Sequence, residues 1–284
     1  MASATGYVAG FLGPAVPLPG PADTREATRL DYPHFSVLVD HARRLAITTG
    51  VNVDGAGLVA VPRSGRWHLD PRLDRQLQAG ADVYADNDLD RGHLVRRRDP
   101  GWGDDAVAAT EATFSYPNAA PQAASFNQSS DLWLGVEDHV LEYAASLRHR
   151  ISVFTAPVLG ADDPPYRGIR IPLRFWKAVA WADDDGALAA TGFVLDQSEA
   201  ITDVDGTATV APLGRFRTFQ VPLSDIAALT GVDLGPLVTA DVYPPGSVPG
   251  AGAGAGERMP EAVGAAAWTE LHSSADVRLS RRRR

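Results

Sequence analysis

The sequence has 284 residues, of which 45% are hydrophobic and 21% are charged, and its formal net charge is −9. This length supports one large domain or two small ones, and the composition is that of a soluble globular protein with a sizeable core. No cysteine occurs, which excludes disulfides, thiolate zinc sites, iron–sulfur clusters and cysteine nucleophiles. The acidic charge argues against broad coating of nucleic acid, but it is compatible with a groove of local positive charge.

The N-terminal segment, residues 1–30, is rich in proline, glycine and small residues. We interpret it as an extended strap that lies on the domain. It lacks the basic start of a signal peptide, and no stretch of the chain approaches 18 consecutive apolar residues. We therefore expect no membrane association, and a protein that is cytoplasmic or exported without a recognisable signal peptide.

Two stretches that alternate between apolar and polar residues come next, at 35–39 and 45–53. Alternation with a period of two predicts strands, and the turn at 40–43 predicts that they form an antiparallel hairpin. Residues 66–100 contain many Asp, Asn and Pro residues without a sustained helical period, so this region is predicted to be irregular.

The middle of the chain predicts helices. A short helix is expected over 104–113, and the prolines in 114–127 indicate a loop or a short strand. From Ser130 onward apolar residues recur at helical spacing, which predicts a longer helix.

The second half of the chain predicts further strands at 151–155, 175–181, 187–195 and 218–221, then a capped helix at 224–230. Antiparallel strands with interposed helices give an α+β class, with an antiparallel β-sheet core flanked by helices. This domain is expected over 31–237. Residues 238–284 are predicted to be a flexible Gly/Ala/Pro linker and a tail ending in four arginines, which is either a solvated tail or a nucleic-acid tether.

The run Asp90-Arg91-Gly92-His93 carries the first chemical signal. An imidazole titrates near neutral pH, so His93 can act as a general base. In an extended segment, residues i and i+2 face the same side, so Arg91 is predicted to hold a phosphate beside His93. Gly92 between them permits close backbone approach or an unusual backbone angle.

Two asparagines and a glutamate follow the histidine in the chain. The amide oxygens of Asn118 and Asn127 suit magnesium, a hard cation that keeps most of its waters. Glu137, on the second turn of the helix predicted from Ser130, can bind waters around such a metal. Hairpin, loop and helix in this order would form a ββα-metal finger.

These motifs resemble a known family. Leu89-Asp90-Arg91-Gly92-His93-Leu94-Val95-Arg96-Arg97 resembles the DRGH signature of the DNA/RNA non-specific endonuclease family. The run from Tyr116 to Gln128, followed by Trp133 and Glu137, resembles the second block of that family, and Phe154-Thr155-Ala156-Pro157 fits its next strand. The resemblance covers about residues 32–235.

The resemblance implies a single Mg²⁺ ion, with Mn²⁺ as a substitute, and cleavage of both DNA and RNA to 5′-phosphate products. It implies that His93 is the general base, Asn127 the metal ligand and Glu137 the outer-shell carboxylate. It also implies that Arg91 contacts phosphate and that Asn118 supports the catalytic site. The spacing from Asn127 to Glu137 is about two residues longer than in the best-known members, which leaves Asp138 as the alternative carboxylate.

Further expectations concern partners. The adjacent Arg96, Arg97 and Arg98 either contact the phosphate backbone of nucleic acid or form a solvated charge run. The family resemblance leaves a homodimer open, and the need to control a nuclease leaves an inhibitor protein open. The alternative functions are a nuclease-like module that binds nucleic acid without cleaving it, and a toxin or defence effector with the same chemistry.

Overall fold

The computed structural model describes residues 6–123, 142, 144–146, 148–204, 207–210, 216–243, 268–273 and 276–277. Asn127, Glu137 and nearly all of the helix predicted from Ser130 lie outside the described residues. Residues 142 and 144–146, in the continuation of that predicted helix, have helical backbone. Across the described ranges, no helix has the length and apolar character needed to cross a membrane.

Most of the regular structure is β-strand. In chain order the strands are β1 (Gly20–Pro21), β2 (Ala27–Tyr32), β3 (Phe35–Asp40), β4 (Leu45–Asp54), β5 (Leu89–His93), β6 (Ala119–Ala123), β7 (Arg150–Val158), β8 (Pro165–Tyr166), β9 (Ile169–Arg170), β10 (Arg174–Ala182), β11 (Leu188–Asp196), β12 (Ile201–Val204), β13 (Thr207–Val210), β14 (Arg217–Val221), β15 (Val232–Asp233) and β16 (Thr269–Leu271). The described helices are α1 (Ala81–Tyr84), α2 (Ala106–Ala112) and α3 (Leu223–Thr230), with 3-10 turns at Arg75–Leu77, Tyr116–Asn118, Ser198–Ala200 and Gly235–Leu237.

The main sheet has eight strands in the order β16-β14-β11-β10-β7-β4-β3-β2, and all of its neighbours are antiparallel. The predicted hairpin β3–β4 is confirmed, and the strands predicted at 175–181 and 187–195 are β10 and β11, which form a second hairpin. The α+β class is confirmed as well. The capped helix predicted at 224–230 is α3, which ends at Gly231. This glycine adopts the left-handed conformation at φ 66°, and its N–H donates to the carbonyl of Ala227.

Both faces of this sheet are covered, because side chains of a strand point alternately to opposite faces. On β10, Phe175 and Val179 join the core on the face that also packs β5 and β6. Trp176 and Ala178 point to the opposite face, which packs α3 and part of the N-terminal segment. The central strands are therefore buried almost throughout.

The N-terminal segment lies on that second face, where Tyr7 and Val16 are buried. The rings of Tyr7 and Phe154 meet edge to face, with centroids 5.3 Å apart. The domain boundary expected at residue 30 does not match the sheet, however. Strand β2 begins at Ala27 and forms its edge, so the sheet starts inside the segment predicted to be a strap.

The C-terminal segment also differs from its prediction. Within 238–284, which was expected to be a linker and tail, Thr269–Leu271 pairs with β14 as the last strand of the sheet. Leu271 is only 1% exposed, and Arg217 donates two hydrogen bonds to Glu270, of 3.0 and 2.7 Å. The prediction is therefore wrong at this strand, because one buried leucine and one ion pair are too short a pattern to read as a strand.

Candidate active site

The Asp90-Arg91-Gly92-His93 run lies in a two-stranded antiparallel ribbon on one face of the main sheet. Strand β5 pairs with β6, which places Arg91 opposite Pro121 and His93 opposite Ala119. The irregular structure predicted for 66–100 is thus wrong at β5. Its five residues do not alternate between apolar and polar types, so pairing with β6 rather than local pattern makes them a strand.

Gly92 allows the two strands of this ribbon to carry a buried side chain between them. A Cβ atom at Gly92 would lie 2.0 Å from the side-chain amide of Gln122, which is itself buried. Gly92 does not have a positive φ. Close approach is therefore the reason for this glycine, rather than an unusual backbone angle.

Asn118 fixes the end of the strand that carries His93. Its side-chain oxygen accepts from the N–H of Val95 at 2.9 Å, and its amide donates to the carbonyls of Val95 at 2.9 Å and Thr113 at 3.0 Å. The side chain is fully buried. These hydrogen bonds position the backbone that follows His93, and a role of Asn118 in the catalytic site stays a prediction.

His93 is enclosed by aromatic rings. Its ring centroid lies 4.6 Å from that of Trp67 and 5.0 Å from that of Phe114, which meets it edge-on at 86°. The Nε2 atom is buried and has no hydrogen-bond partner among the residues described here. A buried polar atom without a partner is uncommon in a folded protein, and it marks a place where a ligand or water can bind.

The electrostatics of this position favour a neutral imidazole. Burial and, to a smaller extent, the positive charges of Arg63, Arg97 and Arg96 together lower the pKa of His93 to about 3. A neutral imidazole is the form that can accept a proton. His93 is thus neutral at physiological pH, and the arginines near it give this part of the surface a positive charge.

Arg91 lies in the same aromatic layer as His93. Its guanidinium carbon is 5.3 Å from the ring centroid of Tyr84, and that ring stacks on Tyr116 at 6.0 Å. Tyr116 in turn contacts Trp67 beside His93, at 5.8 Å. Arg91 and His93 therefore share one side of β5, as expected for positions i and i+2 of a strand.

The other arginines form a positive rim near His93. Arg97 donates to the carbonyl of Val61 at 2.7 Å, and burial together with Arg63, Arg98 and Arg96 lowers its pKa. Arg96 is half-buried and Arg98 is exposed. Mutual repulsion among these cations is relieved when a phosphate binds, which is consistent with the predicted phosphate contacts.

Two of the residues around His93 were not identified from the sequence, namely Arg63 and Trp67. Both lie in the segment 61–68, before the region with recognisable motifs. A signal was present in the alternation of basic and aromatic residues in Arg63-Ser64-Gly65-Arg66-Trp67-His68, a composition typical of nucleic-acid contact surfaces.

The predicted metal ligands cannot be placed. Asn127 and Glu137 follow β6 in the sequence and lie outside the described residues. Among the residues that the structure does describe, no group of three His, Asp, Glu or Cys side chains could hold a metal ion.

Comparison with known proteins identifies the family of the chain. The sequence model of the DNA/RNA non-specific endonucleases matches residues 18–241. The match includes every described residue of the ribbon and its basic rim. The chain therefore belongs to the DNA/RNA non-specific endonuclease family.

Two relatives are similar in sequence to this chain. The chain is 37% identical over 267 residues to the uncharacterized protein y4fB of Sinorhizobium fredii (strain NBRC 101917 / NGR234), covering 84% of this chain and 40% of that protein. It is 38% identical over 104 residues to a salivary endonuclease of Lutzomyia longipalpis, covering 33% of this chain and 24% of the other. The chain thus spans less than half the length of both relatives.

A solved structure shares the fold. A chain from the crystal structure of the EndoG/EndoGI complex superimposes with a TM-score of 0.56 at 16% sequence identity. The similarity covers 75% of this chain and 87% of that one. At this identity the likeness concerns the arrangement of strands and helices alone.

Proposed function

We propose that this chain is a magnesium-dependent endonuclease that hydrolyses phosphodiester bonds of DNA and RNA without sequence specificity. The observation that carries the proposal is the buried, unpartnered Nε2 of His93, held in an aromatic enclosure beside several arginines. This arrangement joins a neutral base to a site that attracts anions. Family membership supplies the reaction class.

In the proposed reaction, neutral His93 takes a proton from a water molecule whose oxygen attacks phosphorus. The bond from phosphorus to the 3′ oxygen breaks, the 3′ oxygen takes up a proton, and a 5′-phosphate and a 3′-hydroxyl remain. Arg91 and Arg63 hold the phosphate and stabilise the negative charge that grows on its oxygens.

The metal belongs to the same proposal. Asn127 would hold Mg²⁺, or Mn²⁺ in its place, and Glu137 would bind waters around the ion. The bound metal would supply Lewis-acid stabilisation of the charge that develops at phosphorus. Replacing Asn127 should weaken Mg²⁺ binding, so the variant should need a higher Mg²⁺ concentration for half-maximal activity than wild type.

The basic rim completes the substrate site. We assign Arg96, Arg97 and Arg98 to contacts with the phosphate backbone, which read charge and not sequence. Each phosphate contact releases counterions, so the proposed cleavage should weaken as salt concentration rises. This explains how an acidic protein can bind a polyanion at one place.

The test is a cleavage assay on supercoiled plasmid and on RNA, with Mg²⁺ and with an added chelator. Wild type should cleave both substrates, and the chelator should stop it. His93→Ala should reduce the rate roughly a hundred- to ten-thousand-fold, which is the usual contribution of a general base. His272→Ala, at an exposed histidine, is the matched control.

Two results would contradict the proposal. Near-full activity of His93→Ala would remove His93 as the base. A gel shift by wild type without any cleavage in Mg²⁺ would favour a nuclease-like module that only binds nucleic acid.

A homodimer, an inhibitor protein and the cellular compartment stay predictions. The solved complex that shares this fold describes inhibition of EndoG, and we propose by analogy that a dedicated protein could control this chain. Light scattering tests the dimer, and affinity capture with an inactive His93→Ala variant tests the inhibitor.

A further inference from the structure

Trp67 is half-buried at the edge of the aromatic enclosure, next to the proposed base. Its neighbours Arg66 and His68 are exposed, and so is Arg63. An indole that lies beside His93 and close in sequence to two exposed arginines has the composition of a surface that binds single-stranded nucleic acid.

The flat faces of this indole are not used for stacking by the residues described. Three rings contact Trp67, and all of them are tilted against it: Tyr116 by 32°, His93 by 45° and Phe114 by 68°. Trp102 behaves differently, because His34 stacks on it at 3.5 Å and 9°. In contrast to Trp102, none of the three rings that contact Trp67 lies parallel to its indole.

The segment that carries Trp67 is held in place by the backbone. The N–H of His68 donates to the carbonyl of Phe114 at 3.1 Å, and the N–H of Tyr116 donates to the carbonyl of His68 at 2.9 Å. A Cβ atom at Gly65 would lie 1.9 Å from the Phe114 ring, so the chain lies directly on that ring. The indole is therefore oriented before any substrate arrives.

We propose that Trp67 stacks on a nucleobase next to the cleaved phosphate, with Arg63 and Arg66 contacting the phosphates on either side. The inference rests on the proposed nuclease function and specifies its substrate as an unpaired strand. In a duplex each base is already stacked and paired, and extruding one costs a few kcal/mol. The site therefore favours single-stranded or locally melted nucleic acid.

The expected size of the preference for bases follows from the free energy of base–aromatic stacking. Such contacts contribute about 1–3 kcal/mol per base, which corresponds to a change of about 5- to 150-fold in affinity or kcat/KM. An oligonucleotide that has its bases should be preferred by this factor over an abasic chain with the same phosphates.

The experiment compares kcat/KM for a short single-stranded thymidine oligonucleotide with that for an abasic tetrahydrofuran chain of equal length. Wild type should prefer the thymidine oligonucleotide by the factor given above. Trp67→Leu should abolish the preference, and Trp67→Phe should retain most of it because phenylalanine still offers an aromatic face.

A control separates stacking from an effect on His93. Phe114→Leu removes a ring that contacts both Trp67 and His93, so it should lower the rate on both substrates while leaving their ratio unchanged. If Trp67→Leu also lowers both rates equally, or if wild type shows no preference for bases, the inference is wrong.

A failure of the proposed function would look different. In that case wild type would cleave neither oligonucleotide. The same preference, measured as a ratio of dissociation constants in the presence of a chelator, would still decide whether Trp67 binds a base.

Discussion

The main sheet and the β5–β6 ribbon are built by different kinds of interaction. Strands of the sheet are held by apolar side chains that alternate between two faces. The ribbon also packs apolar residues into the core, namely Leu89, Ala119, Ala120 and Ala123, but buried amides hold its backbone as well. Asn118 binds the backbone that follows β5, and Gln197 accepts from the N–H of Ala123 at 3.1 Å and donates to the carbonyl of Pro172 at 2.7 Å. We therefore expect apolar packing in the main sheet to contribute mainly to the free energy of unfolding, and the hydrogen bonds of the ribbon to fix the backbone that carries His93.

This difference predicts two kinds of variant. A side chain removed from the sheet should change the free energy of unfolding and leave the rate per folded molecule intact. A polar group removed from the ribbon should change the rate as well, because the same hydrogen bonds that hold the backbone also orient His93.

The largest loss of stability is expected from Phe154→Ala. Phe154 is fully buried on the face of the sheet away from His93 and packs against Tyr7. Removing such a ring costs about 3–5 kcal/mol through lost burial and the cavity left behind. Denaturant unfolding measures this loss, and kcat at a temperature where the variant is folded should match wild type. A lower kcat in the folded variant would contradict the separation.

Asn118→Ala should have the next largest effect. It leaves the N–H and carbonyl of Val95 and the carbonyl of Thr113 without their partner, which costs about 2–3 kcal/mol in total. Because this backbone orients His93, kcat should also fall at least tenfold while KM changes little.

The matched control is Asn52→Ala. Asn52 is an equally buried asparagine in the main sheet, where it bonds to Val8 and Ser152. This variant should lose stability without losing kcat. Equal losses of kcat in both variants would mean that Asn118 has no special relation to His93.

Gly92→Ala tests the close packing of the ribbon. The new methyl group would meet the buried Gln122 side chain, and overpacking of this kind costs about 1–3 kcal/mol. Shortening the neighbour should relieve the clash, so Gly92→Ala combined with Gln122→Ala should be more stable than the sum of the single effects implies. Additive losses would show that something other than Gln122 limits this position.

The smallest effect is expected on the pH dependence of kcat/KM. The lowered pKa of His93 keeps the imidazole neutral as the pH falls below its ordinary value of 6.5, so kcat/KM should stay high into the acid range. Arg63→Gln removes a charge that lowers this pKa, and the acid limb should therefore move to higher pH. If kcat/KM of wild type instead falls with an apparent pKa near 6.5, the lowered pKa of His93 is contradicted.

Stability should follow the same titration. The pKa of His93 is lower in the folded chain than in the unfolded one, so the unfolded chain takes up a proton first as the pH falls. This contribution to stability is present above about pH 6.5 and is lost as the pH falls from there towards about 3. His93→Ala should reduce that loss in denaturant unfolding measured across the range.

How well the sequence predicts each region follows from the same difference. The β3–β4 and β10–β11 hairpins were predictable because apolar residues alternate along them and turn residues separate them. Strand β5 was not, since Leu89-Asp90-Arg91-Gly92-His93 has no such pattern and depends on β6 for its conformation.

At the site, the position of His93 and Arg91 on one side of the chain could be predicted from the period of a strand. The closeness of Arg63 and Trp67 could not, because chain folding brings them to β5 from about 30 residues earlier. Asn118 shows the converse case. The sequence singles out Asn118, but its three hydrogen bonds to the backbone of Val95 and Thr113 can be seen only in the structure.

Cleavage of supercoiled plasmid by His93→Ala in Mg²⁺, beside wild type and with thermal unfolding recorded for both, is the most direct test that the ribbon is a nuclease site. We expect wild-type nicking that a chelator stops, and a variant that is still folded at the assay temperature but cuts roughly a hundred- to ten-thousand-fold more slowly. A folded His93→Ala protein that cuts at the wild-type rate would contradict it.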